Sequence, residues 1–236
     1  MSAEEQSQGR AARQRWLTIA VIVLGVVIVA VAVIVSQLPN GDIVSATPEP
    51  AANVNKLSMG EPDAPATIDV FEDFQCPACK YFTESIETLV IQNLVNTGKA
   101  RYVYHNYPFL DGDGAGDGGE SDQAANASMC AAEQDKFWEM HNTIYANWNG
   151  ENQGGYSDPR LHAMAQSVGL DMPSFKECFS ANEYQAEIQA DFDLGRQMGV
   201  QGTPSVFVNG KKVGQPGYIA TYEEIVQAVE AVIAGQ

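Results

Sequence analysis

The sequence predicts an α/β domain in the order βαβ, helical block, ββα, preceded by one N-terminal transmembrane helix. Three patterns carry that reading. Apolar residues alternate from Thr67 to Phe74 and then recur at helical spacing from Phe82 to Leu94. Residues from about 120 to 199 are rich in Ala, Gln, Glu and Met, with apolar residues at helical spacing. Asn209-Gly210 then divides two short strand-like runs. With 236 residues, 45% of them hydrophobic and 18% charged, the chain can bury the core of one sizeable domain. Its 30 Asp+Glu outweigh 13 Lys+Arg for a net charge of −17, and no basic run is present. Affinity for a phosphate backbone comes from clustered Lys and Arg, so no nucleic acid is expected as a partner.

Residues 1–16 read as a cytoplasmic N-terminus and 17–38 as the anchor. From Leu17 to Val35 no residue is charged, and those 19 residues make a helix of about 28 Å, enough for a hydrocarbon core of about 30 Å. A cleaved signal peptide is the alternative, with Val44-Ser45-Ala46 as its cleavage site, although its apolar region usually has only about 7–15 residues. Arg10, Arg13 and Arg15 precede the segment and the first cation after it is Lys56. Cationic flanks stay inside, so the expected location is the cell membrane, single-pass, with the folded part extracytoplasmic. Residues 39–62 hold Pro39, Pro48, Pro50, Pro62, Gly41 and Gly60, the composition of an extended linker.

The folded domain is expected over 63–236. Ile68, Val70, Glu72 and Phe74 share one face of the first strand. Pro77 suits the first turn of the following helix and Gly98 its C-terminal end. Ala100-Arg101-Tyr102-Val103-Tyr104 reads as a second strand, and a helix between two strands favours parallel pairing. The helical insertion of about 120–199, with Phe137, Ile144, Tyr145 and Trp148, reads as three or four helices. Ser205–Val208 and Lys211–Val213 flank the Asn209-Gly210 turn, and Thr221 with Glu224 forms a capping box for a last helix.

Cys76-Pro77-Ala78-Cys79 lies where a strand gives way to a helix. Unpaired N–H groups and the helix dipole at that point favour a negative sulfur on Cys76, and a thiolate is the reactive form of cysteine. Cys79 is one turn on, sheltered and able to close a disulfide, while Lys80 can add a positive field. Redox chemistry is the leading reading; a purely structural disulfide and half of a zinc site are the alternatives. Zinc wants four ligands, and His105, His141 and His162 are scattered. Cys130 and Cys178 belong to no such motif and read as a structural bridge between two helices, with free thiols or a shuttle pair as alternatives. The acids from Asp111 to Asp122 are spaced like a calcium loop but lack its terminal Glu, so a plain loop is favoured.

Phe71-Glu72-Asp73-Phe74-Gln75-Cys76-Pro77-Ala78-Cys79 resembles the active-site stretch of the DsbA-like thiol–disulfide oxidoreductases, and Gly202-Thr203-Pro204 resembles their cis-proline loop. Gly60–Pro65 and Lys136–His141 are similar to the branch with a helical insertion. The resemblance implies a thioredoxin fold with an inserted α-helical subdomain, a cis Thr203-Pro204 bond beside the cysteines, and no cofactor. It implies catalysis by Cys76 and Cys79, with Pro77 and Ala78 between them and Thr203 and Pro204 facing the substrate. Many relatives carry an acid six positions before the first cysteine; here that position is Val70, and Glu72 is the substitute proton relay to examine. The implied partners are reduced secreted polypeptides and a membrane quinone-linked reoxidant, DsbB-like or vitamin-K-epoxide-reductase-like. An isomerase or reductase, or a non-catalytic binding or metal-carrier module, are the alternatives.

Overall fold

The computed structural model describes residues 16, 19, 21–30, 42–112, 118–215 and 217–235. It divides into two units, residues 1–39 and 40–236. In the first, residues 21–30 are helical and their apolar side chains are exposed. Among the described residues no helix is long and apolar enough to cross a membrane, and much of the expected 17–38 anchor lies outside them.

The second unit is built on five strands in the order β1-β3-β2-β4-β5, where β1 is Ser58–Met59, β2 Ala66–Glu72, β3 Ala100–Asn106, β4 Ser205–Val208 and β5 Lys211–Val213. As expected of a βαβ unit, β2 and β3 are parallel, with Val70 opposite Tyr104 and Glu72 opposite Asn106. On its other side β2 pairs antiparallel with β4, so the redox-motif strand is central. The β4–β5 hairpin turns through Asn209 (φ 46°) and Gly210 (φ 75°), the left-handed pair that Asn-Gly supplies at low strain.

Helix α1 runs over 77–95 and contains two π turns, Thr83–Glu87 and Ile91–Val95. Its buried residues recur every four positions: Phe82-Thr83, Ile86-Glu87, Val90-Ile91 and Leu94-Val95. A repeat of four drifts around a helix of 3.6 residues per turn, and the wider π turns take up that drift so that every pair faces the core. The last helix, Tyr222–Ile233, has the expected capping box between Thr221 and Glu224 and packs Ile225 and Val229 inward.

Two expectations are corrected. The insertion holds five helices rather than three or four: α2 Glu120–Ala132, α3 Phe137–Ala146, α4 Asp158–Ser167, α5 Met172–Ala181 and α6 Gln185–Gln197; the C-terminal Tyr222–Ile233 is α7. Gly169 (φ 78°) and Asn182 (φ 49°) break what periodicity alone reads as longer helices. The linker, where described, is docked rather than open. Val44 N–H donates to Asn147 Oδ1 at 3.0 Å, Ala46 N–H to Thr143 Oγ1 at 3.1 Å and Ala52 N–H to Asn96 Oδ1 at 3.0 Å, and β1 joins the sheet against β3. Side-chain amides and a hydroxyl satisfy this extended backbone, while Ile43, Ala51 and Leu57 pack on the apolar core and Met59 is buried in it, a docking that composition does not show.

Cys130 of α2 and Cys178 of α5 are joined by a disulfide with Cα atoms 5.9 Å apart. The loop it closes has a separation of 48 residues, and limiting the unfolded chain in this way contributes about 4 kcal/mol.

Candidate active site

Cys76 is the N-cap of α1, with extended backbone angles (φ −72°, ψ 120°) and Pro77 as the first helical residue. Its carbonyl accepts from the N–H groups of Cys79 and Lys80, both at 3.1 Å, which closes the first turn. Both cysteines are free thiols. The Cys79 thiol donates to the Cys76 sulfur and is the main reason why the Cys76 pKa falls from 9.0 to about 6. The Thr203 hydroxyl and the N–H groups of Cys79 and Ala78 add to this against the opposing effect of burial. Cys79 is wholly buried, and burial together with its bond to Cys76 pushes its own pKa well above the usual thiol range. One sulfur is therefore held as an anion and the other keeps its proton.

The Thr203-Pro204 peptide bond is cis, as the resemblance implied, and places the Thr203 carbonyl 3.3 Å from the Cys76 sulfur, which donates to it as a thiol. Ala78, Thr203, Pro204, Val213, Tyr218 and Ile219 line a cleft of about 380 Å³ beside the pair. Tyr218 and Tyr81 are largely exposed aromatic surface on these segments. Lys80 does not act as a free cation: its ammonium donates to the Glu84 carboxylate and, at 3.2 Å, to the Tyr145 carbonyl.

Glu72 is 1% exposed, buried rather than solvated at the strand end. The alternation that puts Ile68, Val70 and Phe74 in the core puts Glu72 there too. Its Oε2 accepts from the Tyr145 hydroxyl at 3.1 Å, and burial raises its pKa well above the carboxylate range. The charges of Cys76 and Glu72, and of Glu72 and Cys79, act on each other across the site.

The turn before Cys76 is fixed by groups that the sequence reading missed. Asp73 accepts from Ser121 Oγ at 2.6 Å, Gln75 N–H at 2.8 Å and Leu110 N–H at 2.9 Å, while its carbonyl accepts from Cys76 N–H at 3.0 Å. Burial, offset by these bonds, brings the Asp73 pKa up to about 7. Trp148 Nε1 donates to the Gln75 carbonyl at 2.7 Å, and the Gln75 side chain bonds Asp111, Ser121 and the Asn152 N–H. The calcium-like run passes through 113–117, outside the described residues; Asp111 itself accepts from the Asp122 N–H at 2.8 Å. Among the described residues the one metal-capable group is Glu133, Cys178 and Glu183, whose Cys178 is disulfide-bonded, and Cys76 and Cys79 belong to no such group.

Residues 52–230 match the family model described as thioredoxin. The chain belongs to the thioredoxin family. Disulfide bond formation protein D of Bacillus subtilis is 26% identical over 179 residues, 75% of this chain and 77% of that protein. A probable disulfide bond formation protein D of Bacillus cereus is 29% identical over 157 residues, 65% and 69% of the two chains. The crystal structure of oxidised BdbD from Bacillus subtilis superposes with a TM-score of 0.67 at 26% identity, covering 83% of this chain and all of that one. Within the thioredoxin family the chain is thus a DsbA-like thiol–disulfide oxidoreductase with a helical insertion.

Proposed function

We propose that this oxidoreductase is an oxidant working outside the cytoplasm, where it introduces disulfides into reduced secreted polypeptides through the Cys76–Cys79 couple. The observation that carries the reading is the division between the thiols, with Cys76 lowered to about 6 and Cys79 raised. A substrate thiolate attacks Cys76 Sγ, forming a mixed disulfide, and the electron pair of the broken S–S bond goes to Cys79. Glu72 supplies the proton that the buried Cys79 sulfur takes up. The second substrate thiolate then attacks the substrate sulfur of the mixed disulfide and Cys76 leaves as a stabilised anion. Pro77 opens the helix that holds that anion, and Ala78, Thr203 and Pro204 form the surface against which the substrate lies. Stabilising the reduced form makes the disulfide more oxidising.

The reading includes a 17–38 anchor that leaves the catalytic domain extracytoplasmic, and a quinone-linked membrane protein that reoxidises the pair. Equilibration with glutathione tests the direction: a potential well above −200 mV is expected, and one near thioredoxin's value of about −270 mV overturns it in favour of a reductase. Loss of thiol oxidation in Cys76→Ser separates catalysis from a binding module, which would not register the change.

A further inference from the structure

The surface beside the cis proline differs in charge from the rest of the chain. Acids outnumber Lys and Arg by 30 to 13 overall. Yet Lys212, and no acid among the described residues, lines the cleft of about 380 Å³ next to the cysteines. A second cleft of about 640 Å³ shares Gln201 with the first, and its one charged lining residue among those described is Arg196. Sheet pairing sets both cations on one side. Lys212 of β5 lies opposite Phe207 of β4, and residues directly opposite share a face. On that face Phe207 packs with Phe71, Tyr107, Phe192 and Val200, which brings α6 over it. The stacked Tyr107 and Phe192 rings, with centroids 4.6 Å apart, line the second cleft, and the charge of Arg196 is felt at Tyr107. Arg196 and Lys212 are both exposed. Lys80, Lys99 and Lys136 are neutralised by Glu84, Glu230 and Glu139, whereas neither Arg196 nor Lys212 forms an ion pair among the described residues. The acids nearest Arg196 along α6 are engaged elsewhere: Asp191 accepts from His105 and the Asn106 N–H, and Asp193 from Gln189.

We propose that Arg196 and Lys212 select reduced polypeptides with acidic residues close to the reactive cysteine, their carboxylates pairing with the two cations while the cysteine lies against Thr203 and Pro204. The inference rests on the reading above, in which the Cys76–Cys79 couple acts on such polypeptides. Gln201, where the two clefts meet, stands two residues ahead of Thr203, at most about 7 Å along the chain. An extended substrate advances about 3.3 Å per residue, so carboxylates roughly two to four residues from its cysteine reach these clefts. Elsewhere the acidic surface repels the same residues, so the two cations orient the substrate as well as hold it. An exposed ion pair shifts binding by up to about fivefold, and salt weakens it through a Debye length of about 10 Å at 0.1 M.

Two dithiol peptides of identical composition give the test. In one, a glutamate flanks the cysteines on each side and a lysine stands at each end; in the other the glutamates and lysines trade places. Their net charge is the same, so long-range repulsion by the acidic chain cancels. Each rate of oxidation by the full-length, oxidised chain is divided by that peptide's rate with the uncharged hydroxyethyl disulfide. This removes the effect of the flanking charges on the peptide's own thiols. At low ionic strength we expect the inner-glutamate peptide to be oxidised about fivefold faster, falling below about twofold at roughly 0.5 M salt. Arg196→Gln combined with Lys212→Gln should bring the ratio to one, and Arg196→Glu with Lys212→Glu should invert it. Equal rates in the unsubstituted chain overturn the proposal, as does a preference that survives both pairs of substitutions. A chain that oxidises neither peptide overturns the assignment of the cysteines, and this inference with it.

Discussion

Replacing Cys79 by Ala removes the largest influence that lowers the Cys76 pKa, and the size of the effect follows from the structure. At a pKa of about 6, roughly nine-tenths of Cys76 is thiolate at pH 7. A hydrogen bond to a charged group contributes about 1.5–3 kcal/mol, or about 1–2 pKa units at 1.36 kcal/mol each. Cys79→Ala should therefore move Cys76 to about 7–8 and cut its thiolate fraction at pH 7 to roughly a half or less. The Thr203 hydroxyl and the Ala78 and Cys79 N–H groups remain, so the value stays below 9.0. Cys79→Ser keeps a donor in place and should leave Cys76 near its starting value. Thiolate ultraviolet absorbance followed against pH, with alkylation rates in parallel, reads both variants. A Cys79→Ala pKa still at 6 would refute the reasoning, as would a Ser variant that rises as far as the Ala variant.

Three further outcomes are expected. Because the Cys76 pKa is depressed in the folded dithiol, its stabilisation of the reduced over the oxidised form should be about 4 kcal/mol above pH 9, about 1 kcal/mol at pH 7, and lost as pH falls through 6; melting both forms across that range checks it. Replacing Cys130 and Cys178 together by Ala should lower Tm by roughly 10 °C, from the ~4 kcal/mol of loop closure, and calorimetry reads it directly. Although burial opposes its charge, His105 is raised to about 9 by Asp191 and Asp69, so its contribution of about 3 kcal/mol is full below pH 6.5 and declines as pH rises through 9. Asp191→Asn should flatten that decline in denaturant titrations; an unchanged pH dependence would count against the assignment.

The sequence shows most clearly what local rules decide. Asn209-Gly210, the Thr221–Glu224 box and Pro77 at the head of a helix each act through their own backbone, and all three stand where expected. The central strand was legible because alternation and burial coincide from Ile68 to Phe74. Glu72 was half-legible: parity gave its face, but its burial depends on Tyr145, 73 positions away. Glu87 carries a local sign in its four-residue spacing from Thr83 and Cys79, yet a buried acid and a solvated one look alike without the opposing strand. The docking of 42–52 was not legible at all, since its partners Asn96, Thr143 and Asn147 come from two distant helical segments.

Gln75 has a wider consequence. Its carbonyl is taken by Trp148, and its amide reaches Ser121, Asp111 and the Asn152 N–H, so four tethers converge on the residue just ahead of the reactive sulfur. Three of them originate in the inserted helices and their connections. The minimal βαβ–ββα scaffold could thus be trimmed of its insertion only by cutting loose the peptide that aims Cys76. In this branch the appended helices are part of the gunsight, and any transplant of Cys-Pro-Ala-Cys into a smaller relative would need a new way to hold that one glutamine.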